Sequence, residues 1–190
     1  MILSALYASG KAKRVEALLR SIVVSNRIRR LFLEELFIHL SLVLGFPTMI
    51  DGLEQLSKVY PRNSRARNKE KSSTGYGILR KVYGDQAGKL LSNLRTFHPE
   101  LSAWVVRDVY GKIYARKGLS LRERELSNVV VLSFQNLEKQ LRSHIRGARR
   151  AGMSPPDLRR ALMLAMRVTS HRNLRAIKLL RPVVSQKKKM

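Results

Sequence analysis

The side chains whose type and spacing could do chemistry in this sequence are overwhelmingly cations. Lys and Arg number 38 against 13 Asp and Glu, a formal charge of +25. In the stretch 136–150, Lys139, Arg142, Arg146, Arg149 and Arg150 fall within about 100° of arc on a helical wheel, and Glu138 is the sole acid there. Solvated helices ordinarily mix signs to gain i,i+4 pairs, so a stripe of one sign points to phosphate, which the planar guanidinium grips bidentately. After Asp157 no acid occurs, while Arg159, Arg160, Arg167, Arg172, Arg175, Lys178, Arg181, Lys187, Lys188 and Lys189 follow. A second basic run around Arg62, Arg65 and Arg67 carries Tyr60 and Tyr76 as groups able to stack on bases.

The absences narrow the chemistry further. With no cysteine, disulfides, thiolate metal sites and cysteine nucleophiles are excluded. The sequence shows no zinc-ligand spacing, phosphate-binding glycine loop, helix-turn-helix signature or RNA-recognition sheet motif, so neither a metal nor a cofactor is expected. Like charges at this density repel one another in a compact body; a polyanion relieves that repulsion, with RNA the leading expectation and an anionic membrane surface or an acidic protein the others. Recognition would run through shape and backbone rather than base edges. The tail Gln186-Lys187-Lys188-Lys189 is similar to extensions that thread between RNA helices in ribosomal particles, recovering their ordering entropy only on binding.

The elements that must position these groups read as helices throughout. Val15, Leu18, Leu19, Ile22 and Val23 recur at three and four and predict an amphipathic helix over 12–24. A second is predicted over 30–44, stopped by Gly45-Phe46-Pro47, and a third over 48–59. Tyr60 to Gly77 reads as a basic linker. Helices follow over 77–93 and 101–115, with Ile78, Val82, Ala87, Leu90 and Leu91 as core. Ser120 and Glu123 form a capping-box pattern opening a helix to about Gln135; Val129-Val130-Val131-Leu132 sits inside it and reads as buried helix. A further helix spans 136–150, where Leu137, Leu141, Ile145 and Ala148 make one apolar face with His144 at its edge. Ser154-Pro155-Pro156-Asp157 opens the last, its periodicity persisting to Leu180. No run of about 18–20 apolar residues occurs; the best, Leu36 to Met49, is interrupted by His39 and Pro47. Met1 to Arg30 has Glu16 as its only acid, a bias found in mitochondrial transit segments, although the same stretch runs into helical periodicity.

Tyr110-Gly111-Lys112, Leu119 through Leu126, Gln140 through Ala148 and Ala151-Gly152-Met153-Ser154 together resemble the core of carboxymuconolactone decarboxylases and alkylhydroperoxidase D-like proteins. Leu44-Gly45-Phe46-Pro47 is similar to a second signature of that family. The resemblance implies an all-helical fold that assembles into trimers or hexamers. In the peroxidase branch the working groups follow a Glu, eleven residues, Cys-x-x-Cys, three residues, His pattern. Carried over, the Glu falls on Glu125 and the His on His144, while Leu137 and Gln140 occupy the two cysteine positions. Peroxidase chemistry is excluded, since a thiolate is its nucleophile. Cysteine-independent decarboxylase chemistry remains open to Glu125 and His144 as acid and base, against the reading of His144 as a hydrogen-bonded core residue. Where relatives carry a turn after the core, Met166 to Arg172 would bring guanidinium groups near a former pocket.

The sequence thus predicts an all-α, carboxymuconolactone decarboxylase-like bundle: an N-terminal helical hairpin with a Gly-Phe-Pro turn at 1–59, a basic linker at 60–77, the family-like core at 78–182 and a basic tail at 183–190. Its expected role is non-catalytic: an RNA-binding structural component of a ribonucleoprotein, a mitochondrial ribosome above all, beside neighbouring proteins of a large complex. The rival is a decarboxylase or lactone-processing enzyme using Glu125 and His144. Homo-oligomerisation follows from the resemblance alone, and a cytoplasmic location is the alternative to the mitochondrial one.

Overall fold

A computed structural model describes residues 1–61, 74–171 and 173–180; among them the elements are helical and no strand occurs. The fold is all-α, as the periodicity predicts. Most of the basic linker, Arg172 and the whole tail from 181 lie outside the described residues.

The first helix, α1 (Ile2–Ala8), precedes the earliest one that periodicity predicts. Seven residues are too few for a helical period to register, and a helix that short is held by tertiary burial rather than by its own hydrogen bonds. Leu3, Ala5 and Leu6 supply that burial. After a 3-10 turn at Ala12–Arg14, α2 (Val15–Ser25) ends on Asn26 in the left-handed conformation.

Helix α3 (Arg30–Val59) is interrupted at Gly45, whose φ of 82° and ψ of 168° are not helical. Glycine adopts such a φ without steric cost, so the stop and restart predicted at Gly45-Phe46-Pro47 are present. The two limbs double back on each other. Arg30 NH2 donates to Ser57 Oγ at 3.4 Å, and a β-carbon on Gly52 would run into the Phe37 ring. By length and composition alone α3 could cross a membrane. Folded back at Gly45, however, it is no single rod, and Leu33, Leu36, Phe37 and Leu40 are buried in the protein core.

The helix predicted over 77–93 is two, α4 (Gly75–Tyr83) and α5 (Ala87–Phe97), broken at Gly84 with φ 60°. Apolar spacing survives that break because both segments bury the same face, with Leu79, Val82, Ala87 and Leu91 in one cluster. Next, α6 (Leu101–Trp104) runs into a π-helical stretch, Val105–Tyr114, against which α4 packs. Gly75 makes the approach possible, since a β-carbon there would collide with the Val106 carbonyl.

Helix α7 (Leu121–Gln135) is the centre of the bundle, packed by α1, α3, α8 and α9. Val129, Val130 and Leu132 join one core cluster and Val131 another, which explains an apolar run with no polar face. Its capping box is complete: Ser120 Oγ accepts from Glu123 N at 3.3 Å, and Glu123 Oε2 accepts from Ser120 N at 2.7 Å. Ser120→Ala removes the side-chain acceptor and is expected to destabilise the fold by about 1 kcal/mol, read as a lowered urea midpoint at unchanged slope.

Helix α8 (Glu138–Arg150) follows a left-handed Asn136. Leu137, predicted on its apolar face, lies outside the helix and is 45% exposed, because the turn at Asn136 takes it off the wheel before the first helical residue. Helix α9 (Pro155–Thr169) begins on Ser154, as predicted, but ends at Ser170 with φ 54°, and α10 (Leu174–Lys178) is separate. The continuous helix predicted to Leu180 is therefore broken.

Candidate active site at the Glu125 and His144 pair

Helical spacing sets Arg124, Glu125 and Asn128 on the face of α7 that meets α3, α8 and the π-helical stretch. All three are buried, Glu125 completely. A buried carboxylate is tolerated only when its oxygens are bonded, and here each has a donor. Tyr114 OH donates to Glu125 Oε1 at 2.7 Å, and His144 Nδ1 lies 2.9 Å from Oε2. Helix α8 comes this close because position 147 is glycine: a β-carbon there would collide with Oε2 of Glu125.

The network continues inward. Asn128 Nδ2 donates to Tyr114 OH at 2.7 Å and stands 3.3 Å from His144 Nδ1. His39 Nε2, from α3, is 3.0 Å from Asn128 Oδ1 and 3.2 Å from the Arg124 carbonyl. Arg124 NH1 reaches His39 Nδ1 at 3.4 Å, its NH2 donates to the Arg116 carbonyl at 2.8 Å, and its guanidinium lies 5.8 Å from the centre of the Tyr114 ring. Beyond it, Arg116 makes a bidentate pair with the buried Glu35, both bonds 2.8 Å.

Burial, and next the positive charge of Arg124, hold His39 down to about 3, so its ring is neutral. Burial, then the charge of Glu125, pushes the Tyr114 phenol well above its usual range, so it remains a donor. The outer nitrogen of His144 behaves differently. Nε2 has no partner among the described residues and is not a buried orphan, and the side chain is 14% exposed, so that atom opens to solvent. A histidine braced by a buried carboxylate at one nitrogen and open at the other can take up and return a proton.

Of the residues singled out from sequence, the structure brings together Glu125 and His144, and sets the α8 cations on one exposed face of that helix. Leu137 and Gln140, in the former cysteine positions, are both exposed. Lys139, Arg142, Arg146, Arg149 and Arg150 are exposed on α8 opposite buried Leu141, Ile145 and Ala148. Arg142 pairs with Glu138 at 2.6 Å, Arg146 donates to Ser143 and Arg150 to the Val82 carbonyl, while Lys139 and Arg149 have no partner among the described residues. Arg159, Arg160 and Arg167 are exposed on α9, Arg160 paired with Asp157. Arg167 makes no bond to the Glu125 and His144 pair. Arg62, Arg65, Arg67, Arg172 and Lys187 to Lys189 lie outside the described residues, as does the side chain of Arg175.

Tyr114, Asn128, Arg124 and His39 were not singled out by sequence reasoning. Asn128, three residues beyond Glu125, shares its helical face and was within reach of a wheel. His39 lies 89 residues from the Asn128 it bonds, and no local pattern joins them.

Within the all-helical bundle, a fully buried Glu125 and a half-buried His144 thus meet between two adjacent helices. Residues 99–176 match the model of the carboxymuconolactone decarboxylase family. Among curated proteins it is similar to the 4-carboxymuconolactone decarboxylase of Acinetobacter baylyi, 24% identical over 97 residues that cover 50% of this chain and 72% of that protein.

Proposed function

We propose that the chain is a cysteine-independent acid–base enzyme acting on a small carboxylated lactone or a related organic acid. The observation that carries this reading is the arrangement around Glu125: a fully buried carboxylate with one donor per oxygen, one of them a histidine whose other nitrogen meets solvent. Burying a charge costs stability that an apolar pair of the same shape would not. Such groups concentrate where a protonation state is used. In decarboxylation the bond to the carboxylate carbon breaks, carbon dioxide leaves, and the electron pair passes into the lactone as an enolate. The imidazolium of His144 supplies Nε2–H to the carbon, and solvent restores that proton. Glu125 stabilises the cation through Nδ1–H, and the charge of +25 draws in an anionic substrate.

The test is carbon dioxide release from 4-carboxymuconolactone by wild type and His144→Ala. Release that depends on His144 is expected; release equal in the two proteins, or none from the folded wild type, overturns the reading.

A second reading is favoured by a different observation, the exposed stripe of cations on α8, where Lys139 and Arg149 have no partner among the described residues. On it the chain binds RNA through phosphates, as a component of a ribonucleoprotein. Filter binding to a structured RNA should then weaken steeply with salt, by roughly 10³-fold or more between 50 and 200 mM for about six phosphate contacts. Lys139→Gln with Arg149→Gln should flatten that dependence, and an affinity indifferent to salt would remove the electrostatic basis.

A further inference from the structure

Each hydrogen bond in the buried network runs in a forced direction. Arg124 can only donate, so His39 Nδ1 accepts from it and the neutral ring carries its proton on Nε2. That proton faces Asn128, which fixes the amide with Oδ1 toward His39 and Nδ2 toward Tyr114. The Tyr114 oxygen therefore accepts from Asn128, and its own proton goes to Glu125 Oε1. Asn128 Nδ2 stands 3.3 Å from His144 Nδ1, where two N–H groups offer each other nothing, so the His144 proton is directed to Glu125 Oε2 alone.

We propose that His39 is a positioning residue for the Glu125 and His144 pair, acting through the orientation of the Asn128 amide. It comes from α3, outside the residues 99–176 that match the family model, so the N-terminal segment completes the site. What His39 decides is which end of Asn128 meets Tyr114 and His144. Without its Nε2–H the amide is free to turn over. Oδ1 then takes the place of Nδ2, competes with Glu125 for the Tyr114 proton, and becomes a second acceptor for His144 Nδ1–H. The imidazolium of His144 gains a bond, and its ability to give up a proton falls.

The inference rests on the acid–base reading only for its effect on turnover; its test does not. Histidine nitrogen correlation spectra of wild type, at a pH where both rings are neutral, are expected to show opposite tautomers, Nε2–H for His39 and Nδ1–H for His144. The same tautomer in both rings overturns the proposal, and this measurement needs no variant to fold. Titration of the His144 ring follows in His39→Leu and His39→Gln. Leucine removes the donor, and His144 should bind its proton more tightly, by up to about tenfold, because the bond from Nδ1–H is stronger when the ring is charged than when it is neutral. Glutamine places an N–H near the Nε2 position and should restore the wild-type titration. Equal behaviour of the two variants, or no change in either, overturns the proposal even if carbon dioxide is released. Conversely, the expected tautomers and shift in a protein that releases no carbon dioxide leave the positioning role standing and remove the proposed reaction.

Discussion

His144→Ala is expected to lower the rate of carbon dioxide release by roughly 10²- to 10⁴-fold, the range for removing a positioned general acid or base. The fold should survive, because Leu141, Ile145 and Ala148 carry the packing of α8, but at lower stability, since Oε2 of the buried Glu125 loses its donor. Glu125→Gln should also slow the reaction while keeping the shape. It replaces a carboxylate that stabilises the imidazolium with an amide that offers Nε2–H to one of two existing donors. That buried clash also predicts a melting temperature below that of wild type for Glu125→Gln. A comparison of kcat and KM separates the roles. Loss in kcat at constant KM marks a group used in the transition state, whereas a rise in KM alone marks uniform binding.

The second large effect is on stability in acid. An unfolded histidine titrates near 6.5, and His39 in the fold is held down to about 3, chiefly by burial. Between those pH values the unfolded chain carries a proton that the folded chain lacks, so stability falls as pH drops from about 6.5 toward 3 and is insensitive to this group above 6.5. The contribution is on the order of 5 kcal/mol at full extent. Asp108, held well below the carboxylate range by bonds from Arg107 and Lys112, and Asp157, lowered by Ser154 and Arg160, act at lower pH. Their contributions are present above about 4 and lost only as pH falls further; burial also lowers the Met1 amino group to about 6, so the window from about 5 to 4 isolates His39. Urea midpoints across that window should slope steeply in wild type and flatten in His39→Gln. A wild-type midpoint independent of pH there would show that His39 is not held neutral.

How far the molecule could be read from its residues depends on how local each determinant is. Ser120 with Glu123, Pro155 after Ser154, and Gly45 before Pro47 act within one turn of chain, and the structure has a boundary at each. Breaks that leave the apolar period intact were invisible: Gly84 and Ser170 turn the chain without changing which face is buried. Helix α1 was invisible for the opposite reason, having too few residues to show a period. For the site, the family resemblance located Glu125 and His144, and the bond between them is present. The remainder of the network depends on contacts between α3, the π-helical stretch and α7, separated by tens of residues, and a buried histidine such as His39 resembles any other core position in sequence. The charge, in contrast, was legible as composition. Its distribution was not: the structure shows some arginines, such as Arg116 with Glu35, serving the interior.

The π-helical stretch has a consequence for how this chain can change over time. Tyr114 meets Glu125 only because Val105–Tyr114 winds with wider turns than an α-helix, which sets the rotational phase at which its last residue emerges. Deleting one residue between 105 and 113 would let the segment relax to tighter winding and swing the phenol around the axis, away from the carboxylate. Substitutions along this stretch are tolerable where side chains face outward, but gains and losses of single residues are not. Among descendants of this gene, length here should vary less than sequence does.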